Sequence, residues 1–66
     1  MSVYKVVEII GTSSTSWEDA ATTAITTAQG TLRDLRVAEV VEQDIDLAGD
    51  APLFRVKLAI SLKYEG

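Results

Sequence analysis

Cysteine and histidine are both absent from this sequence of 66 residues. Their absence excludes disulfide bonds, thiolate zinc sites and imidazole chemistry, including a serine nucleophile activated by a histidine base. Chains below roughly 70 residues have a marginal hydrophobic core, and they usually add disulfides, a metal ion or partner subunits. With disulfides excluded, we expect this chain to associate with further copies of itself.

Basic residues are also few, since six Lys and Arg face ten Asp and Glu, giving a net charge of −4. An acidic chain repels nucleic acid and offers no basic stripe for phosphates. No apolar run approaches the roughly 20 residues that a membrane span needs, and no apolar signal segment follows Met1. We therefore expect a cytoplasmic protein that has neither nucleic acid nor membrane as a partner.

The first half of the chain predicts a strand followed by a helix. Residues 3–10 are rich in β-branched side chains and stop at Gly11, which is typical of a strand. From Trp17 to Leu32, apolar residues recur every three or four positions and form one helical stripe. This stripe is rich in alanine, and four threonines on the opposite face lower the helix propensity. The helix should therefore depend on close packing against a sheet, with Gly30 as its end or a weak point.

Residues 37–47 and 53–64 predict two further strands, joined by a turn that contains Gly, Asp and Pro. The last strand alternates cleanly, and its apolar face consists of Phe54, Val56, Leu58, Ile60 and Leu62. The first two strands place apolar side chains on both faces, whereas one helix can cover only one face of a sheet. We predict an α+β fold with a single β-α-β-β domain over residues 1–66, whose second face is covered by other copies.

The loop at residues 11–16 could bind a phosphate, hold a nucleophile or cap the helix. A phosphate-binding loop needs a second glycine and a lysine, and a nucleophile elbow needs a histidine base, but this loop supplies none of them. Thr15 and Ser16 each stand three residues before a carboxylate, which is the spacing of a capping box. We therefore predict a helix cap. Trp17 is predicted to pack as a core or interface anchor, with a stacking surface for an aromatic ligand as the alternative.

Carboxylates of the second strand form a candidate metal site. Glu42, Asp44 and Asp46 alternate along the strand, so they should lie on one face, and oxygen ligands suit Ca²⁺ or Mg²⁺. The glycine turn and distal glutamate of an EF-hand are missing, and a solvated acidic edge is the alternative interpretation. Symmetric copies around an axis would strengthen the site. We predict Glu42 and Asp44 as the metal ligands.

The remaining charges are expected to have a structural role. Basic side chains of the first and third strands should pair across strands with Glu8 and Glu39; these basic residues are Lys5, Arg55, Lys57 and Lys63. The acid–base and nucleophile arrangements of enzymes are missing from the sequence. We therefore expect the protein not to be an enzyme.

The order of several short motifs resembles the dodecin family over nearly the whole chain. The motifs are YKVVE at 4–8, GTS at 11–13, SWEDA at 16–20, RVAEVVEQ at 36–43 and FRVKL at 54–58. The resemblance implies a three-stranded antiparallel sheet wrapped around the helix, with twelve copies assembled into a hollow shell. It also implies a non-enzymatic role in binding, storing or sequestering small molecules, best known for flavins.

Two positions depart from the flavin-binding dodecins that this chain resembles. Those relatives carry a tryptophan where this chain has Val37 and a glutamine where it has Arg55, and the resemblance places flavin contacts at Val37, Arg55 and Gln43. An aliphatic side chain cannot sandwich the isoalloxazine ring as an indole does, so the flavin site is altered. Some relatives without the tryptophan have been linked to calcium, which agrees with Glu42 and Asp44. The predicted ligand is thus a small molecule or a divalent cation, Ca²⁺ or Mg²⁺, with riboflavin or FMN as the alternative.

Overall fold

The computed structural model describes residues 1–65, which form one sheet and one helix. In chain order the elements are β1 (Val3–Ser13), α1 (Trp17–Thr31), β2 (Leu35–Asp46) and β3 (Leu53–Glu65). The sheet is antiparallel, and β3 lies between β1 and β2. The predicted β-α-β-β order and three-stranded antiparallel sheet are confirmed. Gly66, the last residue of the predicted domain, lies outside the described residues.

Two elements continue past the glycine residues at which the sequence favours their ends. β1 continues through Gly11 because residues 11–13 pair with residues 54–56 of β3. The helix likewise continues through Gly30 to Thr31, and the backbone N–H of Leu32 then donates to the carbonyl oxygen of Ala28 at 2.8 Å. Gly30 is therefore not the end of α1. It lies in the last helical turn.

The core lies between α1 and the central part of the sheet. Its buried members are Ala20, Ala24 and Ala28 of the helix and Val56, Leu58 and Ile60 of β3. The alanine stripe is thus confirmed as part of the core, and so are the middle three residues of the predicted apolar face of β3, whereas Phe54 and Leu62 at its ends are half-buried. A Cβ on Gly11 would overlap the carbonyl oxygen of Ala20 and lie 2.8 Å from the Cβ of Ala24. The missing side chain at Gly11 is what lets the helix approach β1 so closely.

A large part of the sheet has no cover. The helix packs mainly on β1 and β3, so β2 is exposed along most of its length. Exposed large apolar side chains of the three strands and the β2–β3 turn are Val3, Tyr4, Val6, Ile10, Val37, Val40, Val41, Ile45, Leu47 and Tyr64. The radius of gyration is 13.3 Å, against about 11 Å for a compact chain of this length. A single copy therefore does not enclose its own apolar surface.

The one helix of residues 1–65 is too short and too polar to cross a membrane.

Candidate functional site

The loop between β1 and α1 caps the helix. The Oγ of Ser16 accepts a hydrogen bond from the backbone N–H of Asp19 at 3.0 Å, which confirms the predicted cap. A capping box also has a second hydrogen bond, between the backbone N–H of the capping residue and the carboxylate. Here Ser13, a buried residue that the sequence reasoning missed, lies between these two groups. Its Oγ donates to the carboxylate of Asp19 at 2.7 Å and accepts from the backbone N–H of Thr15 at 2.9 Å. The loop is therefore a structural cap.

Trp17 connects the start of the helix to β2 and β3. Its indole Nε1–H donates to the backbone carbonyl oxygen of Asp44 at 3.1 Å. The ring meets that of Phe54 edge to face, with centroids 5.2 Å apart and an interplanar angle of 78°. Trp17 also packs against the core, as the anchor interpretation predicts. The indole thereby fixes the backbone of β2 at the residue that carries one of the candidate carboxylates.

The candidate carboxylates lie on the outer face, which we define as the face of the sheet turned away from α1. Strand register places Glu42 opposite Lys57 and Asp44 opposite Arg55. Both basic residues alternate along β3 with the buried core residues, so all four charged side chains point away from the helix. Asp46 shares this face, as its spacing predicts. The outer face thus carries a ladder of alternating charges across β2 and β3.

Asp44 and Arg55 form the stronger rung of this ladder. The Nε of Arg55 lies 2.7 Å from Oδ1 of Asp44, and its terminal nitrogen donates to Oδ2 at 2.9 Å. Hydrogen bonds from the guanidinium, with its charge, lower the pKa of the Asp44 carboxyl below its ordinary value. The same hydrogen bonds and the charge of Asp44 raise the pKa of Arg55. Lys57 and Glu42 form the weaker rung, with Nζ 3.4 Å from Oε1.

The predicted pairing of Arg55 and Lys57 with Glu8 and Glu39 is wrong. Strand register places Glu8 and Glu39 on either side of Ala59, which carries no charge. An irregularity in β2 between Val40 and Glu42 then shifts the pairing by one residue. From the β2–β3 turn to this bulge the register is continuous, from Asp46 opposite Leu53 to Glu42 opposite Lys57, so the turn places the later carboxylates of β2 opposite the basic residues of β3. The bulge shifts only the part of β2 that precedes it, including Glu39.

One copy of the chain supplies only part of a cation site. Among the side chains of residues 1–64, no three of the ligand-forming types come close enough together to hold a metal ion. Glu42 and Asp44 each face a basic side chain of β3. The Oδ1 of Asp46 accepts a hydrogen bond from the backbone N–H of Ala48 at 2.9 Å in the following turn. A complete cation site would therefore need oxygen ligands from a second copy or from water.

The three residues predicted at the flavin position are not together in one copy. Val37 lies opposite Ser61 on the outer face, six residues along β3 from Arg55. At about 3.3 Å per residue, this separation is roughly 20 Å. Gln43 lies opposite the buried Val56 and thus on the face turned toward the helix. A pocket that used Val37, Arg55 and Gln43 would have to be formed between copies.

A groove of about 500 Å³ between α1 and β1 was not foreseen from the sequence. Its wall on the strand side includes Val7, Ile9, Ile10, Gly11 and Thr12, and its helical wall includes Thr23, Ala24, Thr27, Ala28, Thr31 and Leu32. None of these side chains carries a charge. The groove depends on the angle at which the helix crosses β1, which a linear pattern does not specify. Its surface offers apolar contacts and hydroxyl groups but no ligands for a cation.

Comparison with known proteins identifies the family. The dodecin family model matches residues 3–65. The chain belongs to the dodecin family. The calcium dodecin of Mycobacterium tuberculosis is 54% identical over 65 residues, which cover 96% of this chain and 90% of that protein. The crystal structure of that calcium-chelating antigen, which has a novel calcium-binding site, matches with a TM-score of 0.82 and 52% identity over 97% of this dodecin and 93% of that chain.

Other dodecins have the same architecture. The dodecin of Streptomyces coelicolor is 29% identical, with a TM-score of 0.88 over 98% of this chain and 94% of its own. A tryptophan-to-phenylalanine variant of the dodecin from Thermus thermophilus is 33% identical, with a TM-score of 0.88 over the whole of both chains. These similarities confirm the family resemblance and the fold that it implies.

Proposed function

We propose that this dodecin is a non-enzymatic, self-assembling protein that binds a divalent cation, with Ca²⁺ favoured, at the outer face of β2. Glu42 and Asp44 are the ligands contributed by each copy, and the assembly is the twelve-copy shell of the family. The observation that carries the proposal is the row of carboxylates at Glu42, Asp44 and Asp46 on one exposed face. Oxygen ligands of this kind are those that Ca²⁺ takes in proteins.

Self-assembly is supported by the surface that a single copy leaves uncovered. Apolar side chains are exposed on all three strands, and the chain extends over 48 × 20 × 15 Å. A monomer of this shape leaves exposed the apolar area that a stable small domain must bury. Association also supplies the further oxygen ligands that one copy lacks, because symmetry brings equivalent carboxylates together. Assembly and cation binding are thus parts of the same proposal.

A cation is favoured over a flavin by the residues at both candidate sites. Val37 is 61% exposed, and a flavin ring stacked on it would gain little binding free energy compared with a ring stacked on an indole. The guanidinium of Arg55, the other altered position, is already held by Asp44. The similarity to a calcium dodecin supports the same choice. Flavin buffering is the alternative that the experiments must test.

Calorimetric titration of the assembled protein with Ca²⁺ and Mg²⁺, after treatment with a chelator, tests the proposal. We expect saturable binding of Ca²⁺ that is weakened at least tenfold by Glu42→Gln. Glu18→Gln is the matched control, because it removes the same charge from an exposed position in the first turn of α1. No heat of binding at millimolar Ca²⁺, or equal weakening by both variants, would contradict the proposal. Fractionation of cells would test the predicted cytoplasmic location.

A further inference from the structure

Two uncharged surfaces of the chain lie open in one copy, the groove between α1 and β1 and the inner face of β2. The inner face is the face of the sheet turned toward α1. We propose that the groove of one copy receives the inner face of β2 from a second copy, in a head-to-tail contact. This inference rests on the self-assembly in the proposed function and names the surfaces through which that assembly occurs.

The groove is open to a second molecule from the side, because β1 is an edge strand of the sheet. Small or missing side chains at Gly11, Ala24 and Ala28 line it, and about 500 Å³ between them and the apolar Val7 and Ile9 is unfilled. None of its lining residues is charged, although 24% of the chain's residues are. A charged segment would lose its hydration there without gaining a counter-charge. The occupant is therefore uncharged along its contact with the groove.

The inner face of β2 has this property. Strand register places Ala38, Val40, Gln43 and Ile45 opposite the inward-facing residues of β3. The helix packs mainly on β1 and β3, so Val40 is 52% exposed and Ile45 is 40% exposed. Between residues 38 and 45 the carboxylates of β2 all lie on the outer face. The inner face of β2 thus offers an uncharged, largely apolar surface that its own helix does not cover.

The β2 strand cannot reach the groove of its own copy. Because β3 separates the two edge strands, β1 and β2 lie about 10 Å apart, and no residue of β2 lines the groove. A second copy meets no such obstacle. The strand wall of the groove spans residues 7–12, or about 20 Å at roughly 3.3 Å per residue. Residues 38–45 of β2 span about 26 Å on the same scale, which is long enough to fill it.

The proposed contact is heterologous, because the two surfaces that meet are different. Each copy offers its groove to one neighbour and its β2 strand to another. Contacts of this kind repeat around a closed ring when the rotation between copies allows it, whereas a twofold contact would place groove against groove. The contact therefore joins a helix residue of one copy to a β2 residue of the next, and a chemical cross-link can detect that pair.

The absence of cysteine from the chain makes cross-linking a clean test. Thr27→Cys places a thiol on the helical wall of the groove, and Val40→Cys places one on the inner face of β2. The two single variants are co-expressed, with an affinity tag on one so that the chains differ in mass. We expect a short bis-maleimide reagent to join them into heterodimers, resolved by denaturing electrophoresis.

Thr26→Cys co-expressed with Val40→Cys is the matched control, because Thr26 is an exposed neighbour that does not line the groove. It should give at least tenfold less heterodimer. Thr23→Cys with Ile45→Cys uses the same two surfaces and provides the test if the first pair assembles poorly.

Homodimers alone, or equal amounts of heterodimer in the test and control pairs, would overturn the inference. Assembled particles that give no cross-link in either test pair would overturn it while leaving self-assembly standing. A monomer by light scattering would overturn both. Binding of the neutral dye Nile red to assembled particles, weakened at least tenfold by Thr27→Arg but not by Thr26→Arg, would show a groove open to small apolar ligands. That result would also overturn the inference.

Discussion

The backbone of Gly11 lies directly beneath the carbonyl oxygen of Ala20, at the point where the helix crosses β1. We expect Gly11→Ala to destabilise the protein by about 3 kcal/mol, as overpacking of a closely packed core does. The methyl group would meet backbone atoms, which cannot move aside as a flexible side chain can. The free energy of unfolding from urea denaturation measures the effect.

Gly30→Ala is the matched control for this substitution. A Cβ at Gly30 meets no atom within 4 Å, and the residue is helical. Alanine there should stabilise the chain by about 0.5–1 kcal/mol, because glycine is a poor helix former. If both substitutions changed stability in the same direction and by similar amounts, the close helix crossing would not be the reason for Gly11.

The Asp44–Arg55 bridge predicts a specific dependence of stability on pH. Hydrogen bonds from Arg55 lower the pKa of Asp44 from its ordinary value of 3.8. Because the pKa is lower in the folded state, the bridge contributes fully above the ordinary value and is lost as pH falls through the folded pKa. The stability difference between wild type and Asp44→Asn should therefore stay constant from about pH 7 to pH 5 and disappear at lower pH.

Urea midpoints measured across this pH range would show the loss. Arg55→Gln removes the other partner and should give the same profile. A difference that grew on acidification would mean that Asp44 is destabilising as an anion in the folded protein.

Flavin binding is predicted to be weak in the native chain and improvable by two substitutions. An aromatic stacking contact contributes roughly 1–3 kcal/mol per ring, so Val37→Trp with Arg55→Gln should tighten riboflavin binding about tenfold to a hundredfold. Quenching of flavin fluorescence on titration measures the affinity, and Val37→Leu is the control for added apolar bulk. Nanomolar riboflavin or FMN binding by the unmodified protein would show that it stacks the ring by other means.

Assembly is predicted to depend on apolar residues that are exposed in one copy. Ile10→Asp or Val41→Asp should disrupt assembly or folding. If the protein were a monomer, both would be surface substitutions, which usually change stability by less than about 0.5 kcal/mol. Thr22→Ala and Thr26→Ala on the exposed helix face should be tolerated, since alanine is the better helix former. Light scattering gives the particle mass. A stable folded monomer at micromolar concentration would contradict self-assembly.

The fold was largely predictable because its signals are local and agree with one another. Ser16 marks the start of the helix, and the clean alternation of β3 identifies the side chains that the core buries. The sequence pattern predicts that β1 ends at Gly11, because glycine usually weakens a strand, whereas in the structure its missing side chain admits the helix. The reason for glycine at this position is the contact between β1 and the helix, so the sequence of either segment alone does not reveal it.

The candidate site was less predictable because it depends on strand register. The β2–β3 turn sets the register in which Arg55 faces Asp44, and a bulge after Val40 then shifts the pairing of the rest of β2. No residue type near Val40 demands that bulge. The spacing of Glu42 and Asp44 correctly places them on one face, because period-two alternation resumes after the irregularity. The carbonyl that receives the indole N–H of Trp17 belongs to a residue 27 positions away, beyond the reach of any local pattern.

The position of Trp17 also provides the protein with a built-in optical reporter. It is the chain's sole tryptophan, and its N–H is bonded to the backbone of Asp44, beside the charges of the outer face. Tyr4 pairs with Lys63 at the opposite end of the sheet, and Tyr64 lies beside it. Indole emission, excited separately from that of the tyrosines, therefore reports from one end of the sheet. Rearrangement at Asp44 can be followed in the native chain without any attached label.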